Sequence, residues 1–60
     1  MNVRTLITRA KKDIRWNIDW KIYENETKIP EIIRSKSIIS YELIRNTMYV
    51  NTKDYLVENY

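Results

Sequence analysis

The sequence predicts an α+β fold in which an N-terminal helix packs on a small three-stranded antiparallel sheet. Two observations lead to this prediction. Apolar residues recur with a helical period near the N-terminus, and from residue 14 onward they alternate with polar residues with a period of two. A chain of 60 residues forms a single domain, residues 1–60, and its two apolar stripes bury each other when the helix lies across one face of the sheet.

A helix is predicted over residues 2–12, because four apolar residues at the spacings i, i+3, i+4 and i+7 form one face. These residues are Val3, Leu6, Ile7 and Ala10. Asn2 is a residue type that caps helix N-termini well, and the basic residues near the other end suit the negative end of the helix dipole.

A strand with one buried face is predicted over residues 13–23. Its five alternating apolar residues are Ile14, Trp16, Ile18, Trp20 and Ile22. We expect Trp16 and Trp20, about 13 Å apart on the same strand face, to fill the core beneath the helix. Two alternatives stay open: the pair forms a stacking platform for single-stranded nucleic acid, or it anchors a protein interface.

The middle of the chain predicts a turn followed by a short helix. Residues 24–28 are polar and typical of a turn. A short helical turn is predicted at residues 30–34, because proline is favoured at the first helical position and Glu31 suits the first turn.

A second hairpin is predicted over residues 37–51. Its turn is placed at Asn46, because asparagine accepts a left-handed φ at low cost. The last ten residues stay open between two structures: a terminal helix capped by Asn51 or Thr52, and a frayed continuation of the strand.

The composition argues against several function classes. Without glycine the chain cannot build a phosphate-binding loop, and without histidine and cysteine it lacks the usual general base and the best nucleophile. We therefore expect no enzymatic activity, no catalytic residue and no cofactor. The acidic residues are scattered, so no metal site is expected, and no apolar run approaches the roughly 18–20 residues that cross a membrane. A cytoplasmic location is expected, because no signal-peptide pattern is present.

Positive charge is concentrated at the N-terminus. Residues 1–15 carry a net charge of +4, against +3 for the whole chain. A patch of this kind is what a phosphate-binding face requires, although a basic helix face also keeps a small protein soluble. The candidate nucleic-acid-binding residues are Arg4, Arg9, Lys11, Lys12 and Arg15.

Tyrosine supplies the candidate protein-binding residues. The chain has five tyrosines, and a small core cannot hold all of them with their hydroxyls hydrogen-bonded. We expect Tyr41 and Tyr49 to lie on an exposed edge of the second hairpin and to bind a protein partner, with plain amphipathic packing as the simpler alternative. A homodimer is also expected, because pairing two copies hides the unpaired edges of a small sheet.

The layout of the chain resembles that of small accessory proteins from phages and mobile elements of low-GC Gram-positive bacteria. The resemblance covers nearly the whole chain and rests on TLITRAKKDIRWNI, on IPEII after a polar turn, and on SIISYELIRNTMYV, together with a richness in Ile, Asn, Lys and Tyr. Such proteins, including small anti-restriction and anti-CRISPR inhibitors, act by binding and blocking a host protein. The resemblance therefore implies a host protein as the partner and a location in the host cytoplasm.

A second resemblance covers the C-terminal half. There SYELIRNTMYVNTKDYLVENY is similar to the recognition helix, wing and closing helix of excisionase-like winged-helix proteins. This similarity implies that Ser40 caps a helix through Arg45 and that Arg45, Tyr49 and Lys53 approach DNA. The glycine that shapes the wing in that family is missing here. We therefore expect a small non-catalytic protein that binds and modulates a host protein, with a DNA- or RNA-binding domain as the alternative.

Overall fold

The computed structural model describes residues 1–53 and confirms the α+β class. The elements in chain order are α1 (Val3–Arg9), β1 (Arg15–Ile18), β2 (Lys21–Tyr23), a 3-10 turn (Glu26–Lys28), α2 (Glu31–Arg34), β3 (Ile38–Ile44) and β4 (Thr47–Thr52). The strands form one sheet in the order β2-β1-β4-β3. The predicted sheet of three antiparallel strands is wrong, because the sheet has four strands and β1 pairs with β4 in parallel.

The extra strand arises because the segment predicted as one strand over residues 13–23 is a hairpin. Asp19 and Trp20 both take positive φ, 52° and 71°, as the central residues of a two-residue turn do when its twist matches that of the flanking strands. Trp16 then faces Tyr23 on the neighbouring strand. The turn reverses the chain inside the alternating run, so Ile22 emerges on the opposite face of the sheet from Trp16.

The turn is held in place by the end of the neighbouring strand β4. The Asp19 carboxylate accepts a hydrogen bond from the backbone N–H of Thr52 at 2.8 Å and another from the Thr52 hydroxyl at 2.6 Å. Thr52 is fully buried, and these bonds satisfy its polar side chain. Aspartate also tolerates the left-handed region better than most residues. A contact 33 residues away in sequence therefore stabilises the turn that ends β1.

The second hairpin is confirmed, with β4 in the interior of the sheet and β3 at its edge. Its turn consists of Arg45 and Asn46, as predicted, but the residue with positive φ is Arg45, at 57°, and not Asn46. The predicted terminal helix or frayed strand falls, beyond Lys53, outside the described residues. Asn51 and Thr52, proposed as caps of that helix, belong to β4.

The first helix is confirmed but is shorter than the predicted range of residues 2–12. Asn2 caps it as predicted, since its side-chain oxygen accepts a hydrogen bond from the Thr5 N–H at 2.9 Å. The helix ends at Arg9, because Ala10 is already extended and Asp13 lies in the left-handed region, with φ of 61°. The predicted turn at residues 30–34 is confirmed as α2, which starts directly after Pro30.

The core lies between α1 and one face of the sheet. Its buried side chains are Val3, Leu6, Ile14, Trp16, Ile18, Tyr23, Ile29, Met48 and Val50. Of the two tryptophans expected in this core, only Trp16 is there, at 1% exposure, whereas Trp20 is 73% exposed. The reason is the turn at residues 19 and 20, which removes Trp20 from the strand before its side chain can reach the core.

Candidate functional site

The face of the sheet opposite α1, here called the open face, carries the side chains that alternate with the core. Directly opposed residues on neighbouring strands share a face, so the register identifies its members. One row across all four strands consists of Ile22, Asn17, Tyr49 and Glu42. A second row consists of Arg15, Thr47 and Ile44. Within residues 1–53, no helix packs on this face.

Trp20 stands at one end of the open face. Together with Asn17, Tyr49 and Asn51 it lines a small hollow, which places two aromatic rings beside two amide side chains. Four large apolar side chains of this surface are exposed, namely Trp20, Ile22, Ile44 and Tyr49. Apolar residues scattered singly over a surface need no explanation, whereas a set gathered on one face marks an interaction surface.

The open face carries little net charge. Arg15 and Glu42 are its only charged strand residues among those that the structure describes, and their charges cancel. At the end away from Trp20, a polar notch brings the carboxyl-bearing residues Asp13 and Glu24 beside Arg15. The low net charge suits contact with uncharged groups better than contact with a phosphate backbone. The amide and hydroxyl groups of the open face can form hydrogen bonds that orient a bound molecule.

The two tyrosines predicted to bind a protein partner are both exposed, but they lie on opposite faces of the sheet. Tyr49 is paired with Glu42 and Asn17, and therefore belongs to the open face. Tyr41 is paired with Val50, a core residue, so its ring points to the side of α1. Tyr41 is nevertheless 49% exposed, on the edge strand β3. The structure thus does not bring the two rings together on one face.

The five candidate nucleic-acid-binding residues lie in three separate places. Arg4 forms an exposed ion pair with Glu31 of α2. Arg9, Lys11 and Lys12 are exposed at the end of α1, and none of them has an ion-pair partner within residues 1–53. Arg15 is on the open face of β1. The structure therefore brings three of the five cations into one short stretch.

The helix that the excisionase resemblance implies is not present. Residues 38–44, which include Ser40, form β3, so the prediction that Ser40 caps a recognition helix is wrong. The physical reason is the content of β-branched and aromatic residues, Ile38, Ile39, Tyr41 and Ile44, which suits a strand that pairs with β4. Arg45 lies in the turn at one end of β4 and Lys53 at the other, about 20 Å apart for a strand of this length.

Sequence reasoning missed Trp20, Ile22 and Ile44 as surface residues. It assigned the first two to the core, because the run of alternating apolar residues continues through the turn without a break. The available signal was Asp19, the residue of this run most typical of turns.

Among residues 1–53, no three acidic side chains lie close enough to hold a metal ion, and no helix in that range has the length and apolar character needed to cross a membrane. Comparison of the chain with protein-family models, curated proteins and solved structures finds no match.

Proposed function

We propose that this chain is a small non-catalytic protein, encoded by a phage or mobile element, that binds and modulates a host protein through the open face. The observation that carries the proposal is the group of large apolar side chains exposed on a sheet face that α1 leaves uncovered. Tryptophan and tyrosine dominate the binding energy of protein interfaces, and the centre of such interfaces is depleted of charge. The open face has both properties.

The same surface is less suited to nucleic acid than to protein. Binding to a phosphate backbone requires several cations on the contacting surface, because each neutralised phosphate releases counterions. Among the residues that the structure describes, the strands of the open face offer one cation, Arg15, with Glu42 on the same face and Asp13 and Glu24 at its end. Its exposed rings, Trp20 and Tyr49, are therefore better placed to contact apolar and uncharged groups of a protein.

The absence of a catalytic role is part of the proposal. The chain has no histidine or cysteine to act as base or nucleophile. The hollow beside Trp20 is small and is lined by amide side chains, aromatic rings and Val50, which are groups suited to binding.

The test is affinity capture followed by quantitative rebinding. The purified chain is immobilised, proteins retained from a lysate of a low-GC Gram-positive bacterium are identified, and the Kd of the purified partner is measured. We expect Trp20→Ala to weaken binding by about tenfold or more, as at interface hot spots. Ile32→Ala is the matched control, because Ile32 is also 73% exposed but lies on α2, away from the open face.

The control must bind as tightly as the wild-type chain. If Trp20→Ala and Tyr49→Ala both keep the wild-type Kd while circular dichroism shows them folded, the open face is not the binding surface.

A second candidate function, nucleic-acid binding, is favoured by one observation. Arg9, Lys11 and Lys12 are exposed in close succession at the end of α1. Three phosphate contacts predict a slope of about −3 for log K against log salt concentration with duplex DNA. Fluorescence of the exposed Trp20 during DNA titration measures the slope, and replacing the three cations by alanine must abolish it. A flat salt dependence would exclude this candidate.

A further inference from the structure

The two edges of the sheet differ in how well they are protected. The edge strand β2 has only three residues and carries Lys21, and a short, charged edge resists pairing with another chain. The other edge strand, β3, has seven residues and contains neither proline nor lysine. It exposes four large apolar side chains, Ile39, Tyr41, Leu43 and Ile44. Within residues 1–53, no strand pairs along this longer edge, which is therefore able to accept a further strand.

The beginning of that edge is already occupied by the N-terminus. The Met1 carbonyl accepts a hydrogen bond from the Ile38 N–H at 2.9 Å, and Asn2 forms an antiparallel bridge with Ser37. The Val3 N–H donates to the Lys36 carbonyl at 3.0 Å. The free part of the edge is therefore the stretch from residue 39 to residue 44.

Alternate backbone groups of this stretch point away from the sheet. The two-residue turn after Ile44 makes Ile44 and Thr47 a hydrogen-bonded pair, and in an antiparallel ladder such pairs alternate with pairs that exchange no hydrogen bonds. Tyr41 and Leu43 belong to the second kind. Their N–H and C=O groups are thus directed to the free edge, where an added strand would pair with them.

The side chains at the free edge differ between the two faces. On the side of α1, Tyr41 and Leu43 are 49% and 43% exposed and lie outside the buried core cluster. On the open face, Glu42 lies between Ser40 and Ile44. An added strand would meet an apolar strip on one side and a single carboxylate on the other.

We infer that the free edge of β3 binds an extended segment of the protein partner in which side chains alternate apolar, basic, apolar. The basic residue lies opposite Glu42 on the open face, and the two apolar residues pack on Tyr41 and Leu43 on the other face. Opposite charges on directly opposed residues stabilise a strand pair, and main-chain hydrogen bonds supply much of the affinity of an added strand. The inference rests on the proposed function and names the chemistry of its partner.

A second copy of the chain suits this edge less well than such a partner. Antiparallel self-pairing that uses the free stretch sets Tyr41 against Leu43 of the other copy, but it also sets Glu42 directly against Glu42, and opposed like charges are destabilising. A register centred on Tyr41 brings Ile44 of the other copy to Ile38, whose N–H already donates to Met1.

The experiment is a selection from a displayed library of random seven-residue peptides, with the full chain as bait. We expect the wild-type chain to enrich lysine or arginine flanked by apolar residues. The variant Glu42→Lys should instead enrich aspartate or glutamate at that position. Glu24→Lys is the matched control, because Glu24 is exposed but lies off the β3 edge. The peptides enriched by this variant must still carry a basic residue at the central position. An unchanged preference in Glu42→Lys, or no charge preference in the wild-type chain, overturns the inference.

Amide hydrogen exchange with one selected peptide gives a second readout. On peptide binding, exchange at Tyr41 and Leu43 should slow at least tenfold, whereas Glu42 is already paired with β4 and should change little. The variant Trp20→Ala must still bind the peptide, since Trp20 is not on this edge. If the peptide selection fails while Trp20→Ala still weakens binding of the host protein, the edge inference is removed and the proposed function is kept. Sedimentation tests the second copy as the occupant of this edge. If the wild-type chain sediments partly as a dimer and Glu42→Gln increases the dimer fraction, β3 accepts a second copy and not a partner protein.

Discussion

The contact between Asp19 and Thr52 is expected to decide the stability of the domain, and Asp19→Ala is the change that tests it. The substitution leaves the N–H and the hydroxyl of a fully buried Thr52 without acceptors. Each unpaired buried donor costs about 1–3 kcal/mol. Alanine also tolerates the left-handed φ of residue 19 less well than aspartate does, which adds about 1 kcal/mol. Together these effects predict a loss of about 3–7 kcal/mol, against a total of about 3–9 kcal/mol for a domain of this size.

The assay is urea denaturation monitored by circular dichroism, with linear extrapolation to water. Asp19→Asn is the matched control, because asparagine accepts the left-handed φ and keeps one oxygen acceptor for the Thr52 N–H; it should cost about 1–2 kcal/mol. In the double variant Asp19→Ala/Thr52→Val, removing the orphaned hydroxyl should recover part of the loss, about 1 kcal/mol. A loss below about 1 kcal/mol for Asp19→Ala would refute the reasoning, because the two hydrogen bonds would then contribute little to the fold.

Two further outcomes are expected of the folded chain. Trp16→Ala should lower the free energy of unfolding by about 3–5 kcal/mol, as for buried aromatic residues. Trp20→Ala should change it by less than about 0.5 kcal/mol, as for exposed positions. Equal losses of the two variants in urea denaturation would contradict the assignment of one tryptophan to the core. Burial raises the pKa of the Tyr23 hydroxyl, and the nearby Asp19 carboxylate raises that pKa further. Because the pKa is higher in the folded state, the folded state holds the Tyr23 proton more tightly than the unfolded state does. The contribution of Tyr23 to the unfolding free energy is therefore fully present below about pH 10, the ordinary tyrosine pKa. It is lost as the pH rises through the raised pKa. Tyr23→Phe should flatten this alkaline decline in the unfolding free energy, and an unchanged decline would show that another group causes it.

Features that depend on neighbouring residues could be predicted from the sequence. The helical spacing of α1, its Asn2 cap, the start of α2 after Pro30 and the hairpin of β3 and β4 all follow from local preferences of backbone and side chain. Tyr41 and Tyr49 were both predicted to lie on an exposed hairpin edge. This is confirmed for Tyr41, on the edge strand β3, but Tyr49 lies on the interior strand β4. The predicted roles of Tyr41 and Tyr49 in binding remain predictions.

The assignment of Tyr41 and Tyr49 to one surface shows where prediction from residue types stops. Both residues are exposed, yet the register between β3 and β4 places Tyr41 opposite Val50 and Tyr49 opposite Glu42. A shift of one residue in that register would exchange the faces of every side chain on a strand. The face that a tyrosine occupies therefore depends on strand pairing, which composition and alternation do not specify.

By itself, the sequence determined the α+β class, the positions of α1, of α2 and of the β3–β4 hairpin, and the lack of histidine and cysteine. Only the tertiary structure decided that the run from Ile14 to Ile22 folds back at Asp19 and Trp20. That turn depends on hydrogen bonds to Thr52, 33 residues away, and on the parallel pairing of β1 with β4. The alternating run continues without a break through the turn residues Asp19 and Trp20, so the pattern alone does not distinguish a buried Trp20 from an exposed one.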